Sequence, residues 1–175
     1  MSVKSQAQTF IHQLINQYVT YFDVYRNATV GSHPVDALAV YKRRDEKYLM
    51  SKTIKVWGVE NQQCVFITEA QEPLTETFIT QLQSDVKDNI EAYIPDSQEH
   101  MSTSVLTVIV TEHDVDPALV KGVMRYRKLK FFKYGLHGWA ELYLSIINLK
   151  NESVYIHRKG RKLIEPVNIL LEKED

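Results

Sequence analysis

The apolar residues of this chain change their spacing along its length, and that change limits the fold more than any other feature. Phe10, Ile11, Leu14, Ile15, Tyr18, Val19, Phe22 and Tyr25 recur every three or four residues, with Gln8, Gln13, Gln17 and Asp23 as polar companions. Such spacing puts the apolar side chains on one stripe of an amphipathic helix. Asn27 and Gly31-Ser32-His33-Pro34 are expected to stop that helix, because Gly and Pro disfavour its continuation. The period then falls to two. Val35 to Lys42 is rich in Ala, Val, Leu and Tyr, and Ile54, Val56 and Gly58 alternate with Lys55 and Trp57. In Gln63 to Thr68, Val65 and Ile67 point opposite to Cys64 and Phe66. Alternation marks half-buried strands, so these runs predict a three-stranded antiparallel meander with polar turns at 43–46 and 60–62.

Pro73 opens a second predicted helix, striped by Leu74, Phe78, Ile79, Leu82, Val86 and Ile90. Ser104 to Thr111 is apolar on both faces, as in a strand buried on both sides. Asp116-Pro117 has the chemistry of a helix start, an acid at the cap and proline in the first turn; this short helix should run to about Tyr126. Leu129–Lys133, Trp139–Ile147 and Val154–Ile156 read as strands, the last two joined by a turn at Lys150-Asn151-Glu152. The tail from Arg161 is either a short helix or a frayed strand. The order α-β-β-β-α-β-α-β-β-β predicts one α+β domain over residues 1–175, a single mixed, largely antiparallel sheet packed by amphipathic helices.

The apolar share of 44% and charged share of 25% are those of a globular chain rather than a disordered one. The one cysteine, Cys64, sits in the apolar run 64–67, which suits a reducing compartment and a buried thiol. The first residues lack the apolar stretch of a signal peptide. No apolar run approaches the ~20 residues that cross a bilayer, so a cytoplasmic location without membrane contact is expected. Residues 59–100 carry nine acids and one lysine, whereas both flanks are mildly basic. That balance argues against a dedicated duplex-DNA binder and leaves room for a local anion site.

Phosphate loops, dinucleotide fingerprints, metalloprotease and serine-hydrolase signatures and paired cysteines are all missing from the sequence. Four constellations remain. Glu99-His100-Met101-Ser102 precedes the central strand, and a His beside a carboxylate suits a ligand or base. Glu112-His113-Asp114-Val115-Asp116 follows the same strand and could gather a metal, although Asp116 already has a capping role. His100 and His113 lie at opposite ends of that strand and cannot share one ion. Tyr134-Gly135-Leu136-His137-Gly138-Trp139 places a His and a Trp between glycines, the best single candidate for a site. Finally, Arg125, Arg127, Lys128, Lys130 and Lys133, with Arg158, Lys159, Arg161 and Lys162 and with Lys42, Arg43, Arg44 and Lys47, could converge on an anion. For each set a plain structural role, as cap, turn or solvated face, competes with the functional one.

The helix, meander, helix, strand order also resembles the core of restriction-endonuclease-like nucleases. That resemblance implies metal-binding acids at Asp36 and at Glu69 in Glu69-Ala70-Gln71, but Gln71 stands where those enzymes carry lysine, which weakens any catalytic expectation. Separately, Arg44-Asp45-Glu46-Lys47-Tyr48, Glu99-His100-Met101-Ser102, Gly135-Leu136-His137-Gly138-Trp139 and Lys159-Gly160 are similar to an uncharacterised bacterial domain family of mostly Gram-positive origin, over residues 10–165. It implies a compact cytoplasmic bacterial protein and brings no activity, ligand or catalytic residue. The expected function is therefore a non-catalytic binding or regulatory domain for a small molecule or protein. Its contacts are expected at His137, Trp139, His100, Arg158, Lys159 and Arg161, with no cofactor and no catalytic residue assigned. Nucleic acid is the less favoured partner, and self-association is left open. The alternative is a metal-dependent nuclease-like hydrolase, or a degenerate nucleic-acid binder of that fold, using Asp36 and Glu69.

Overall fold

The computed structural model describes residues 3–41, 62–93, 102–132 and 138–173. Helix α1 (Gln6–Val19) starts on a reciprocal cap. Ser5 Oγ accepts from the Gln8 backbone N–H at 3.1 Å, and the Gln8 side chain accepts from the Ser5 N–H at 3.3 Å. The helix is shorter than its periodicity predicts. Phe22 still packs into the core, but Tyr25 belongs to strand β1 (Asp23–Val30). The β-branched Val24, Thr29 and Val30 favour the extended chain there. Gly31-Ser32, expected to stop a helix, instead closes a two-residue hairpin into β2 (His33–Tyr41). Gly31 has φ of +59°, and an added Cβ would lie 2.7 Å from the Asn89 side chain, so glycine takes this turn with less strain than a residue with a side chain.

Strand β2 pairs antiparallel with β3 (Gln62–Ala70). The expected meander of 35–42, 54–58 and 63–68 is thereby corrected: β2 pairs directly with β3, and the observed antiparallel meander is β1-β2-β3, whose first strand the periodicity assigns to helix. The predicted strand at Ile54–Gly58 lies outside the described residues. Helix α2 (Glu76–Asn89), capped by Thr75, and a 3-10 turn (Ile90–Tyr93) lead to β4 (Ser102–Thr111), which runs parallel to β3. Helix α3 (Pro117–Arg125) begins as expected, with Asp116 Oδ1 accepting from the Ala118 N–H at 2.8 Å. Strands β5 (Arg127–Phe131), β6 (Trp139–Asn148) and β7 (Ser153–Ile156) follow. The tail is helical: a 3-10 helix (Arg158–Ile164) and then α4 (Glu165–Glu172).

The sheet order is β1-β2-β3-β4-β6-β5, with β7 also on β6. Pairs β3–β4 and β4–β6 are parallel and the others antiparallel. One face is packed by α1, the second 3-10 helix and α4, the other mainly by α2 with Val123 of α3. The central strands are accordingly buried on both sides, as expected for β4. Among the described residues no helix is long and apolar enough to cross a membrane.

Candidate binding site at the open corner of the sheet

Strand registers line up the side chains of the α1/α4 face in rows across the sheet. Ala37, Ile67, Val108, Ser145 and Ile156 form one row, and Ala39, Val65, Leu106, Tyr143 and Arg127 the next. The third is Tyr41, Gln63, Ser104, Glu141 and Leu129, and the fourth is Ser102, Trp139 and Phe131. The first row is buried throughout and apolar apart from its serine. By the last two rows, on β4, β6 and β5, the side chains are polar or aromatic, with Leu129 the one aliphatic residue, and they reach solvent. Leu129 is 44% exposed and Phe131 60% exposed, whereas Ser102, Ser104, Trp139 and Glu141 are half-buried. This corner lies beyond the core residues of α1 and α4.

A polar knot closes the corner on its inner side. Strands β7 and β5 pair with the same side of β6, β7 over Ser145–Asn148 and β5 over Trp139–Tyr143. The end of β7 therefore meets the start of β5 beside Tyr143. There the Tyr143 hydroxyl donates to Glu141 Oε2 at 2.7 Å and accepts from Arg127 Nε at 3.2 Å, and the guanidinium also lies 3.4 Å from Glu141. Burial first, and then the bond to Glu141, push the Tyr143 phenol above its usual range against the opposing pull of Arg127. The phenol thus stays a proton donor at neutral pH, which suits holding geometry rather than proton transfer.

Gly160 explains why the basic turn sits against this knot. A Cβ there would lie 2.8 Å from Tyr143 Cδ1 and 3.2 Å from Ile156 Cδ1, so the missing side chain lets the 3-10 helix close on the ring. His157 caps that helix, its Nδ1 accepting from the Lys159 N–H at 3.0 Å, and its ring packs 6.0 Å from that of Tyr143. Arg158, Lys159, Arg161 and Lys162 are exposed on the turn so formed.

Of the expected ligand contacts, Trp139 is on the corner, and Arg158, Lys159 and Arg161 are on the turn packed against Tyr143, two places further along β6 on the same face. His100 and His137 lie outside the described residues, as do Lys42, Arg43, Arg44 and Lys47. Lys130 turns to the other face, where its Nζ donates to the Lys87 carbonyl at 2.6 Å and lies 3.9 Å from Glu91. Tyr143 and Glu141 are not among the residues that sequence motifs single out. Two-residue spacing from Trp139 could have found them, since it puts 139, 141 and 143 on one face of β6.

The remaining candidates have structural partners. Asp36 and Glu69 do meet: Asp36 Oδ2 accepts from the Glu69 backbone N–H at 2.8 Å, and Glu69 Oε1 accepts from Ser5 Oγ at 3.0 Å. His113 Nε2 lies 2.9 Å from the Gln71 carbonyl oxygen, and Asp114 pairs with Lys150 at 2.7 Å. Among the described residues no group of three or more His, Cys, Asp or Glu could hold a metal ion.

No curated protein and no solved structure matches the chain. A family model, Domain of unknown function (DUF8052), matches residues 6–169, which include every described strand and all but the end of α4. The chain belongs to that family, Domain of unknown function (DUF8052).

Proposed function

We propose that this chain is a non-catalytic binding domain whose ligand, a small molecule or a protein, is contacted at the open corner around Trp139, with the basic turn Arg158–Lys162 on its flank. The observation that carries this reading is the row structure of β6. One strand face presents Trp139, Glu141 and Tyr143 in succession, and Gly160 brings the basic turn against the last of them. An aromatic side chain beside fixed polar groups and exposed cations is the ordinary composition of a recognition surface.

Trp139 provides the test. The chain has two tryptophans, so Trp57→Phe leaves Trp139 as the sole indole reporter. Titration with inorganic phosphate, nucleotides and acidic peptides, with thermal unfolding in parallel, should find a probe that shifts Trp139 emission and raises the melting temperature by mass action. Trp139→Ala should abolish the thermal shift. A probe that stabilises the Trp139→Ala variant as well as the parent would put the site elsewhere.

A second reading, a nuclease-like hydrolase or a degenerate nucleic-acid binder, rests on the proximity of Asp36 to the Glu69 backbone. The pair fits a catalytic metal poorly. Asp36 accepts a backbone N–H, Glu69 a helix-cap hydroxyl, and Gln71 offers no cation. Mg²⁺-dependent cleavage of DNA or RNA, lost in Asp36→Asn, would establish this reading against the first.

A further inference from the structure

We propose that β5 is a docking edge that takes up an extended peptide of alternating acidic and apolar residues as an added strand. The proposal rests on the binding reading above and names its ligand. Strand β5 ends the sheet order and pairs with β6 alone among the described residues. Among the described residues nothing pairs with its outer side, whose backbone N–H and C=O groups are the template on which a further strand can form. Its side chains divide by face: Arg127, Leu129 and Phe131 lie on the Trp139 side, and Lys128 and Lys130 on the other. Exposed apolar residues thus alternate with lysines, and the strand contains no acid.

Charge selects the occupant. A second copy pairing antiparallel about Leu129 would set each Lys128 opposite a Lys130, and like charges directly across a ladder repel. Nucleic acid needs a continuous cationic track, whereas Arg127 is held against Glu141 and Lys130 against Glu91, carboxylates that would face phosphates. A peptide draws its affinity from main-chain hydrogen bonds and needs only one or two acids. Its apolar side chains would pack on Leu129, Phe131 and Trp139, while a carboxylate would reach the exposed Lys128 on the opposite face, Lys130 being already engaged by the Lys87 carbonyl and Glu91.

Fluorescence anisotropy of the full chain with a labelled octapeptide of alternating Glu and Val tests this directly. Saturable binding is expected, weakened roughly ten-fold by Lys128→Glu. It should be lost when alternate peptide nitrogens are methylated, in at least one of the two methylation registers, because the added strand then cannot complete its ladder. A block peptide with the same composition, Glu residues first and Val residues after, should bind weakly. Absence of binding, equal binding of the block peptide or of both methylated forms, or tighter binding of oligothymidine would overturn the proposal. If the peptide fails while Trp139 emission still reports another probe, the docking edge is wrong and the binding site stands. If neither responds, both fall.

Discussion

Two neighbouring patches of the same sheet face are built in opposite ways. Around Leu106 and Val108 the rows are apolar, covered by α1 and α4, and almost without solvent contact. Two rows further along the same strands, Ser102, Ser104, Glu141 and Trp139 are half-buried, and Leu129 and Phe131 are exposed. The strands are continuous through both patches, so backbone geometry does not separate them. Cover does: one patch gains stability by excluding water, and the other leaves shaped, chemically varied surface on a scaffold that the first has already fixed.

That contrast should be largest in core truncations. Leu106→Ala is expected to cost about 2–5 kcal/mol in denaturant unfolding, from lost transfer energy and the cavity left behind. Leu129→Ala should change stability by no more than about 0.5 kcal/mol. Equal effects would erase the distinction between the patches. The border between them is held by Gly160. Gly160→Ala drives a methyl into the Tyr143 ring and should cost about 1–3 kcal/mol by overpacking. Gly122, in α3, has no described atom within 4 Å of the point where a Cβ would stand. Gly122→Ala should therefore stabilise the chain by about 0.5–1 kcal/mol.

Smaller effects sharpen the picture on the covered side. Ser5→Ala removes the α1 cap and the bond to Glu69, a loss of about 1 kcal/mol. Tyr126, just before β5, is half-buried against the α2-side core, and burial raises its phenol to about 12. The native state then holds this proton more tightly than the unfolded chain, so the associated stability is intact below about pH 10 and falls as pH rises toward about 12. Unfolding followed across that window should show a shallower alkaline decline in Tyr126→Phe. Ser145 Oγ is buried with no hydrogen-bond partner among the described residues, so Ser145→Ala should be neutral or slightly stabilising, within about 1 kcal/mol. A clear loss would reveal a partner for that hydroxyl.

How much of this was legible in the sequence follows from which interactions are local. The Asp116-Pro117 helix start, the double-sided burial of β4 and the strand from Trp139 are encoded within a few residues, and each stands where the residues predict it. The end of α1 was not legible, because Phe22 continues the helical spacing while packing on the core from beyond the helix, and Tyr25 lands on the same period by its place in β1. The corner itself was half legible. Trp139 and the basic turn stood out, but their relation through Tyr143 depends on β7 and β5 meeting along one side of β6, a pairing between segments distant in the chain. Asp36 and Glu69 show the converse. Their proximity was expected from topology, yet their partners, a backbone N–H and the Ser5 cap, answer to strand register and helix placement rather than to any motif.

The claim that the corner is surface for binding and not part of the core is tested most directly by Leu129→Ser/Phe131→Ser, with unfolding free energy and probe binding measured on the same preparation. Stability within about 1 kcal/mol of the parent, with the response of Trp139 to its probe lost, is the expected pair of results. A loss of several kcal/mol would mean that these side chains belong to the packed interior, and intact binding would mean that the ligand is held elsewhere.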